Sequence, residues 1–447
     1  MGMRYLRTSY LLILVMSDST GVIGNWCKLI RITAGPAPSA CVASSFAATQ
    51  ATWRFLNNER VTPQELVKPL RMFAKTQFAK TTVTGCPGEG FVLLVSDWSK
   101  LKYGDHRAKK DVVRLTHETN IGYELTTHLL VNAQNGQPIA PLEMHLRTAE
   151  KVHSTRDEPV EDANHTERIL PTMNASKNWG LAAKMVHVID RETDSVGHWR
   201  QWNAAGHKFL VRGNNRRVTW QNSSVMMNEV AQALGRDDCF RRTRDVEIRG
   251  RRAYQEIAET TVTLDRPARH KINGKQKQYP GETIELRFVM TRIRDVETHE
   301  LLSEWYLLTN IDATSASSEL IALWHYWRWN IESYFKLMKS AGMKLDHWQQ
   351  ESGYAIMNRL LVASMAAATI WSLQRTTGNE ATEFKDLLVK LSGKTVKRTR
   401  PHTCGALLSG LFVLLRILDF LEQVDFDVDK IAKIQNQLKR FRPKLRE

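Results

Sequence analysis

Two apolar segments of the chain each end in an aspartate. Residues 91–97 read FVLLVSD and residues 185–190 read MVHVID. A continuous apolar run of this length is typical of a strand that is buried on both faces of a sheet. In an open α/β sheet, functional groups gather beyond the carboxyl ends of parallel strands. If the two strands are neighbours, Asp97 and Asp190 therefore meet at one edge of the sheet.

Two buried carboxylates in one place need a cation, because an unpaired buried charge is costly. Oxygen ligands favour Mg²⁺ or Mn²⁺, so the pair predicts a divalent metal site. Asp is also a common turn residue at the end of a strand, so a purely structural role stays open for either aspartate taken alone.

A third carboxylate, Glu332, lies in the segment WHYWRWNIESYFKLMK, residues 324–339. Aromatic and aliphatic residues recur there at three- and four-residue steps, which predicts one continuous helix with a buried apolar stripe. A second stripe beside it carries His325, Arg328, Glu332 and Lys339. Its cationic members could hold phosphates beside the carboxylate. The alternative is an i, i+4 pair between Arg328 and Glu332 on a solvated face.

The charge of the chain points to its partner. Lys and Arg number 63 against 47 Asp and Glu, a net charge of +16 over 447 residues. Such an excess favours a polyanionic binding partner, and it favours nucleic acid over a membrane surface. The alternative is a basic protein without such a partner. Five scattered cysteines without a CxxC motif fit a reducing cytoplasm. No uninterrupted apolar run reaches the roughly 18 residues of a membrane span.

The pattern along the chain predicts an α/β protein with an inserted β region. Residues 243–310 alternate in polarity as antiparallel strands do. The predicted regions are an N-terminal region, mostly helical from about residue 47 (1–85), the first part of the core (86–235), a β-strand insertion (236–312), the second part of the core with the Glu332 helix (313–375) and a C-terminal helical region (376–447).

These residues together resemble a known family. The segment VIDRETD, residues 188–194, is similar to the D-R-E-x-D segment of bacterial DDE transposases of the insertion sequence four group, which includes the transposon five transposase. Arg328, Glu332 and Lys339 fall in register with the group's Y-x2-R-x3-E-x6-K signature. His325 stands where the signature has tyrosine, with Tyr326 one residue later. A histidine can still contact a phosphate.

The resemblance implies an RNase H-like mixed sheet with helices, interrupted by the β insertion. It also implies that Asp97, Asp190 and Glu332 form a catalytic triad that binds two divalent ions, Mg²⁺ or Mn²⁺. Two such ions activate an attacking oxygen and stabilise a leaving one in a displacement at phosphorus. The implied reaction nicks the transposon end with water, forms a DNA hairpin and then joins the end to target DNA.

The resemblance implies DNA contacts as well. Arg212, in LVRGNNRR, stands where the family has a basic residue near the active site. Trp305, in EWYLLTNI, stands where the family has a tryptophan that receives a flipped base. The alternative for Arg212 is a surface salt bridge, and the alternative for Trp305 is a core aromatic residue on a β-strand. The predicted DNA-binding residues are Arg212, Trp305, His325, Tyr326, Arg328 and Lys339. The expected partner is double-stranded DNA, both transposon ends and target, bound by a homodimer in a synaptic complex with dimer contacts in the C-terminal helical region.

Two other functions stay open. The first is a metal-dependent nuclease with the same core that never joins strands. The second is an inhibitor that binds DNA and dimerises with an active transposase. It is suggested by residues 1–45, which lack the basic helical character of the group's end-reading region, so that residues 1–85 would be only a remnant of an end-binding region.

Overall fold

The computed structural model describes residues 46–117, 119–161, 166–248, 250–272, 275–279, 281–341 and 343–423. Residues 1–45, on which the inhibitor hypothesis depends, lie outside the described residues, as does the end of the predicted C-terminal region. The chain divides into two compact units. The larger unit comprises Glu59–Lys336 and Gln350–Ala368, and the smaller unit comprises the remaining described residues.

The larger unit contains all the described strands. They are β1 (Phe91–Lys102), β2 (Val113–Arg114), β3 (Ile121–Asn132), β4 (Pro138–Arg147), β5 (Val152–Ser154), β6 (Lys184–Ile189), β7 (Lys208–Arg212), β8 (Arg217–Trp220), β9 (Ser223–Met226), β10 (Arg241–Ile248), β11 (Arg251–Leu264), β12 (Ala268–Ile272), β13 (Lys275–Tyr279), β14 (Ile284–Asp295) and β15 (Leu301–Thr309).

Helices are described in both units. They are α1 (Phe46–Leu56), α2 (Pro63–Thr81), α3 (Ile169–Ser176), α4 (Val196–Ala204), α5 (Met227–Arg236), α6 (Ser318–Trp327), α7 (Asn330–Lys336), α8 (Gly353–Arg375), α9 (Asn379–Ser392) and α10 (Cys404–Gln423).

One mixed sheet organises the larger unit. Its strand order is β5-β4-β3-β1-β6-β7-β15-β14-β11-β8-β9, with β2 beside β3 and β10 beside β11. Strands β1, β6 and β7 run parallel to one another, β3 runs antiparallel to β1, and β4 runs antiparallel to β3 and so in the direction of β1. The order β4-β3-β1-β6-β7 with these directions is that of an RNase H-like core. The predicted fold class, an α/β mixed sheet with helices, is therefore confirmed.

The predicted β region continues the core sheet. Strands β10, β11, β14 and β15 pair antiparallel, and β15 also pairs with β7 of the core. Strands β12 and β13 form a separate two-stranded sheet. The antiparallel strands thus extend the sheet that carries the core strands.

An apolar core lies around β7, β14 and the helices α4 and α5. Trp199, Trp202, Phe209 and Phe288 are completely buried in it. Burying a phenylalanine contributes about 1.5–3 kcal/mol relative to leaving it exposed, so this cluster stabilises the middle of the sheet.

The segment that carries Glu332 forms two helices. Helix α6 begins where Ser317 accepts a hydrogen bond from the Leu320 backbone N–H, at 3.3 Å, a common N-terminal cap. It ends at Trp327, because the Arg328 N–H turns to the carbonyl three residues earlier, as in a 3₁₀ turn. The Asn330 amide also donates to the Trp327 carbonyl at 2.8 Å. The prediction of one continuous helix through this segment was therefore wrong.

Helix α8 is long and apolar enough to cross a membrane by length and composition, which the search for uninterrupted apolar runs did not predict. Within the protein, 89% of its apolar stretch is buried. In the larger unit, Ser364 of this helix shares a 2.8 Å hydrogen bond with the Tyr334 hydroxyl of α7. Such burial is typical of a core helix.

The smaller unit contains α1, α9, α10 and a π-helical turn, Leu337–Ala341. Helices α9 and α10 pack closely at Gly410, where an added Cβ would lie 1.8 Å from the Leu388 carbonyl oxygen. Only glycine permits this approach. Dimer contacts in residues 376–447 stay a prediction.

Candidate active site

Three predicted site residues follow one row of the parallel strands. The last paired row across β1, β6 and β7 is Ser96, Ile189 and Val211. The next residues along the chain are Asp97, Asp190 and Arg212. Neighbouring parallel strands therefore place both aspartates and a half-buried arginine at one edge of the sheet.

Arg328 contacts all three predicted acids. Its Nη1 lies 3.4 Å from Asp97 Oδ2, and its Nη2 lies 3.5 Å from Asp190 Oδ2 and 3.2 Å from Glu332 Oε1. Side-chain exposure is 6% for Arg328, 21% for Asp97, 31% for Asp190 and 57% for Glu332. The carboxylates thus surround a buried guanidinium, and Glu332 forms the side of the site that is open to solvent.

Helix α6 is fixed to the sheet by Trp324. The indole Nε1 donates to the Ala133 carbonyl at 2.8 Å, and the ring packs on Phe91 of β1 with centroids 5.3 Å apart. The half-buried Trp327 ring covers Gly136, whose backbone φ of +70° favours glycine. The predicted apolar stripe therefore positions the helix end from which Arg328 extends.

The environment of Asp97 favours its protonated form. Burial raises the pKa of Asp97 to about 6, and the nearby Asp190 and Glu332 raise it too. The Trp98 backbone N–H, which donates to Asp97 Oδ1 at 2.8 Å, and the Arg328 guanidinium lower the pKa in part. The backbone N–H and the arginine therefore offset only part of the cost of burying the Asp97 carboxylate.

The three acids are candidate ligands for a divalent cation. The Asp190 Oδ1 atom is buried and has no hydrogen-bond partner among the residues that the structure describes. Hard divalent cations such as Mg²⁺ and Mn²⁺ prefer carboxylate oxygens of this kind. Asp97, Asp190 and Glu332 could supply the ligands.

Four aromatic rings form a continuous contact beside the acids. Trp305 packs on His325 with centroids 5.5 Å apart and on Trp329 at 6.1 Å, and Trp329 packs on Tyr326 at 5.6 Å. Trp305 and His325 are buried, whereas Tyr326 and Trp329 are 42% and 46% exposed. The exposed end of this cluster, Tyr326 and Trp329, is the part that a ligand can reach.

His325 is a neutral core residue in this structure. Burial, together with the charge of Arg328, lowers its pKa to about 3. Neither ring nitrogen has a hydrogen-bond partner within the described part of the chain. His325 lies beneath Trp305. Its contact with a phosphate stays a prediction.

The sequence pattern did not single out Trp329. It lies outside the apolar stripe and directly follows Arg328, which could have marked it as an exposed aromatic beside the site.

The insertion contributes a cation to the aromatic cluster, because the Arg244 guanidinium of β10 lies 5.1 Å from the centre of the Tyr326 ring. Burial lowers the pKa of Arg244, and the nearby Tyr326 raises it in part.

Asp194, the last acid of VIDRETD, fixes the loop after β7. Its Oδ1 lies 2.5 Å from Arg216 Nη2, and its Oδ2 accepts a hydrogen bond from the Asn214 N–H at 3.1 Å. Asp194 therefore orients the chain that follows Arg212, a role the sequence analysis did not assign.

Lys339 lies in the smaller unit, half-buried on the π-helical turn. Its predicted phosphate contact stays a prediction.

A second group of potential metal ligands lies within the larger unit. Ligand atoms of His128, Glu143 and His145 lie within 4.8 Å of one another, and all three residues are buried. Burial lowers the pKa of His128 to about 3 and also lowers the pKa of His145, so both rings are neutral.

Charge argues against a metal at this group. Glu143 Oε1 already lies 2.6 Å from Arg156 Nη2 and 2.9 Å from His145 Nε2. A divalent cation added beside the arginine would leave a strongly positive, completely buried group, which is costly. We therefore interpret the cluster as a structural hydrogen-bond network.

Comparison with known proteins places these residues in a family. A search of curated proteins found no match. Among solved structures, the chain is similar to the piggyBac transposase in a cryo-EM synaptic complex with hairpin DNA, with a TM-score of 0.33 and 8% identity. The similarity covers 81% of this chain and 59% of that one. The sequence model of the family described as "Transposase DDE domain" matches residues 92–369, a stretch that includes Asp97, Asp190 and Glu332. The chain therefore belongs to the DDE-domain transposase family.

Proposed function

We propose that the protein cuts and joins transposon-end DNA by phosphoryl transfer. One observation carries this proposal: three carboxylates from distant parts of the chain surround one arginine at the ends of parallel strands. Membership of a transposase family supports the same reaction. We also propose that the protein is similar to the insertion sequence four group within this family.

Asp97, Asp190 and Glu332 would hold two divalent ions, Mg²⁺ or Mn²⁺. Such ions, when bound, supply Lewis-acid stabilisation to the attacking and leaving oxygens of a displacement at phosphorus. The buried Asp190 oxygen without a partner among the described residues supports this role, because a cation would satisfy it.

The substrate chemistry takes four displacements at phosphorus. Water attacks a phosphodiester at the transposon end and releases a 3′-OH. This hydroxyl attacks the opposite strand, which forms a hairpin and releases the flanking DNA. A second water then opens the hairpin and frees the 3′-OH again, and this hydroxyl attacks target DNA. Arg212 and Arg328 would bind the phosphates, since charged donors form strong hydrogen bonds with phosphate oxygens. Lys339 would bind a further phosphate.

The aromatic cluster would bind an unpaired base. Base stacking on an aromatic side chain is worth about 1–3 kcal/mol, enough to offset part of the cost of bending DNA into a hairpin. Tyr326 and Trp329 offer exposed rings, and the buried Trp305 lies directly behind Trp329. The proposed partner is double-stranded DNA held by a homodimer in a synaptic complex.

The test is a cleavage assay with Glu332→Gln. This change keeps the shape of the side chain and removes the charge of one metal ligand. We expect Mg²⁺-dependent cleavage of end DNA to be lost, while DNA binding measured without metal and thermal unfolding stay unchanged. Glu319→Gln on α6 is the matched control, since Glu319 pairs with Arg241 outside the triad. Wild-type cleavage by Glu332→Gln would overturn the assignment.

Two further assays distinguish the alternatives. A pre-cut end with a free 3′-OH is a substrate for strand transfer, and a nuclease of the same core would leave it unjoined. A gel shift with the element's own terminal repeats tests the inhibitor hypothesis. That hypothesis expects weak binding to the ends, because residues 1–85 would be only a remnant of an end-binding region, so tight binding would contradict it.

A further inference from the structure

Arg328 shares its contacts among the acids that are proposed to bind metal. We propose that Arg328 and the divalent cations compete for the same carboxylate oxygens, so that metal binding releases the guanidinium to a DNA phosphate. This inference rests on the proposed function, because it takes Asp97, Asp190 and Glu332 as the metal ligands.

The contacts of Arg328 are those of a guanidinium that can be exchanged. Its three N–O distances are 3.2, 3.4 and 3.5 Å, longer than the roughly 2.7–2.9 Å of strong charge-assisted hydrogen bonds. Each carboxylate offers it one oxygen, so no two-pronged pair forms with any of the acids. Its Nε is buried and has no hydrogen-bond partner among the described residues. Charge therefore holds Arg328 in place more than hydrogen-bond geometry does.

The charges also favour exchange. Three carboxylates face one guanidinium, and a divalent cation would bring twice the charge to the same oxygens. Two positive groups on shared oxygens repel each other, so a bound cation weakens the hold on Arg328. A phosphate is then the anion that the released guanidinium can bind.

The surroundings leave a route for the side chain. Arg328 lies between the end of α6 and the start of α7, where the helix is interrupted. Glu332, one of its three partners, is more than half exposed, and the neighbouring Trp329 is exposed as well. The guanidinium can therefore move toward the solvent-facing side of the site, where DNA would lie.

Exchange makes metal binding and DNA binding cooperative. If the cation frees Arg328 for a phosphate, each ligand raises the affinity for the other by the same factor. Without Arg328, this part of the coupling disappears.

The experiment is a Mn²⁺ titration of the full chain at about pH 8, with free Mn²⁺ followed by electron paramagnetic resonance. Carboxylate ligands are ionised at such a pH. We expect Arg328→Ala to bind Mn²⁺ about tenfold more tightly than wild type without DNA, within the usual range of coupling between sites. Arg212→Ala is the matched control. It removes a positive charge near Asp190 that makes no ion pair with the three acids in the described residues, so we expect a smaller gain.

A second measurement uses the anisotropy of a labelled DNA duplex of arbitrary sequence, with and without Ca²⁺ in place of the catalytic metal. We expect Ca²⁺ to tighten DNA binding by wild type and by Arg212→Ala, and to do so several-fold less for Arg328→Ala.

The outcomes separate the two proposals. Equal Mn²⁺ affinity in wild type and Arg328→Ala would overturn the exchange and leave the metal site standing. Failure of every variant to bind Mn²⁺ would overturn the proposed function, and the exchange with it. If Arg328→Ala does not fold, Arg328→Gln, which keeps part of the side-chain length but not the charge, decides: tighter Mn²⁺ binding than wild type supports exchange, and equal binding overturns it.

Discussion

Asp194 forms a salt bridge with Arg216, with 2.5 Å between carboxylate Oδ1 and guanidinium Nη2. Its backbone carbonyl also accepts a hydrogen bond from the same nitrogen at 3.1 Å. The arginine, in turn, lies 4.5 Å from the centre of the Trp199 ring in the apolar core. The loop that follows Arg212 is thus tied to the core through one aspartate.

We expect Asp194→Asn to weaken this connection. The change removes the charge that pairs with a largely buried arginine, so the free energy of unfolding should fall by about 1–3 kcal/mol. DNA affinity should fall too, because Arg212 loses its orientation. Urea unfolding and a gel shift measure the two effects. Asp245→Asn, which removes an exposed ion pair to Arg242, is the control and should change neither. Equal behaviour of the two variants would contradict the role of Asp194.

Metal binding should depend on pH through Asp97. Burial raises its pKa from 3.8 to about 6, so the folded protein binds a proton in this window that the unfolded chain releases. The resulting stabilisation is complete below about pH 4 and is lost as the pH rises through about 6. Metal needs the ionised form, so Mn²⁺ affinity should fall as the pH drops below about 6. Titrations from about pH 5 to about pH 8 check this, and a flat profile would contradict it.

Glu143 should matter for stability. Glu143→Gln leaves the Arg156 guanidinium buried without its carboxylate, which is expected to lower the free energy of unfolding by about 3–5 kcal/mol. Exchanging both residues for apolar ones of similar volume should recover part of the loss. Urea unfolding measures both variants. A zinc chelator should leave the wild-type unfolding curve unchanged, and a shift of that curve would support a metal at this cluster instead.

Gly136 should be required for the placement of Trp327. An added Cβ would lie 2.3 Å from the indole ring, at a residue whose φ is +70°. Gly136→Ala is therefore expected to cost about 1–3 kcal/mol and to reduce cleavage by shifting the end of α6. Gly85→Ala is the control, since its φ is +78° but no atom lies within 4 Å of the added Cβ. A similar loss in both variants would mean that backbone strain alone is responsible.

The carboxyl ends of the buried strands could be predicted from the sequence. An apolar run that ends in aspartate marks both a buried strand and its carboxyl end, so the meeting of Asp97 and Asp190 could be predicted once the strands were taken as neighbours. The i, i+4 spacing predicts the contact between Arg328 and Glu332, which forms although the helix is interrupted between Trp327 and Asn330. Thr62 and Pro63 likewise mark the start of α2, where the threonine accepts a hydrogen bond from the Glu65 N–H.

The remaining features depend on contacts between distant parts of the chain. No local pattern shows that Arg328 reaches Asp97, which is 231 residues away in the sequence. The break after Trp327 depends on the Asn330 side chain, which donates both to that carbonyl and to Gly136. The burial of His325 beneath Trp305 depends on the pairing of β15 with the core, which periodicity does not specify.

The pairing of β15 with β7 protects one edge of the core sheet. A strand at the edge of a sheet exposes unpaired N–H and C=O groups, which can pair with the strands of other chains. In the described sheet, β15 covers that side of β7. A chain without β15 would leave this edge of β7 unpaired, so deletion of the insertion is expected to promote aggregation as well as to remove its own residues.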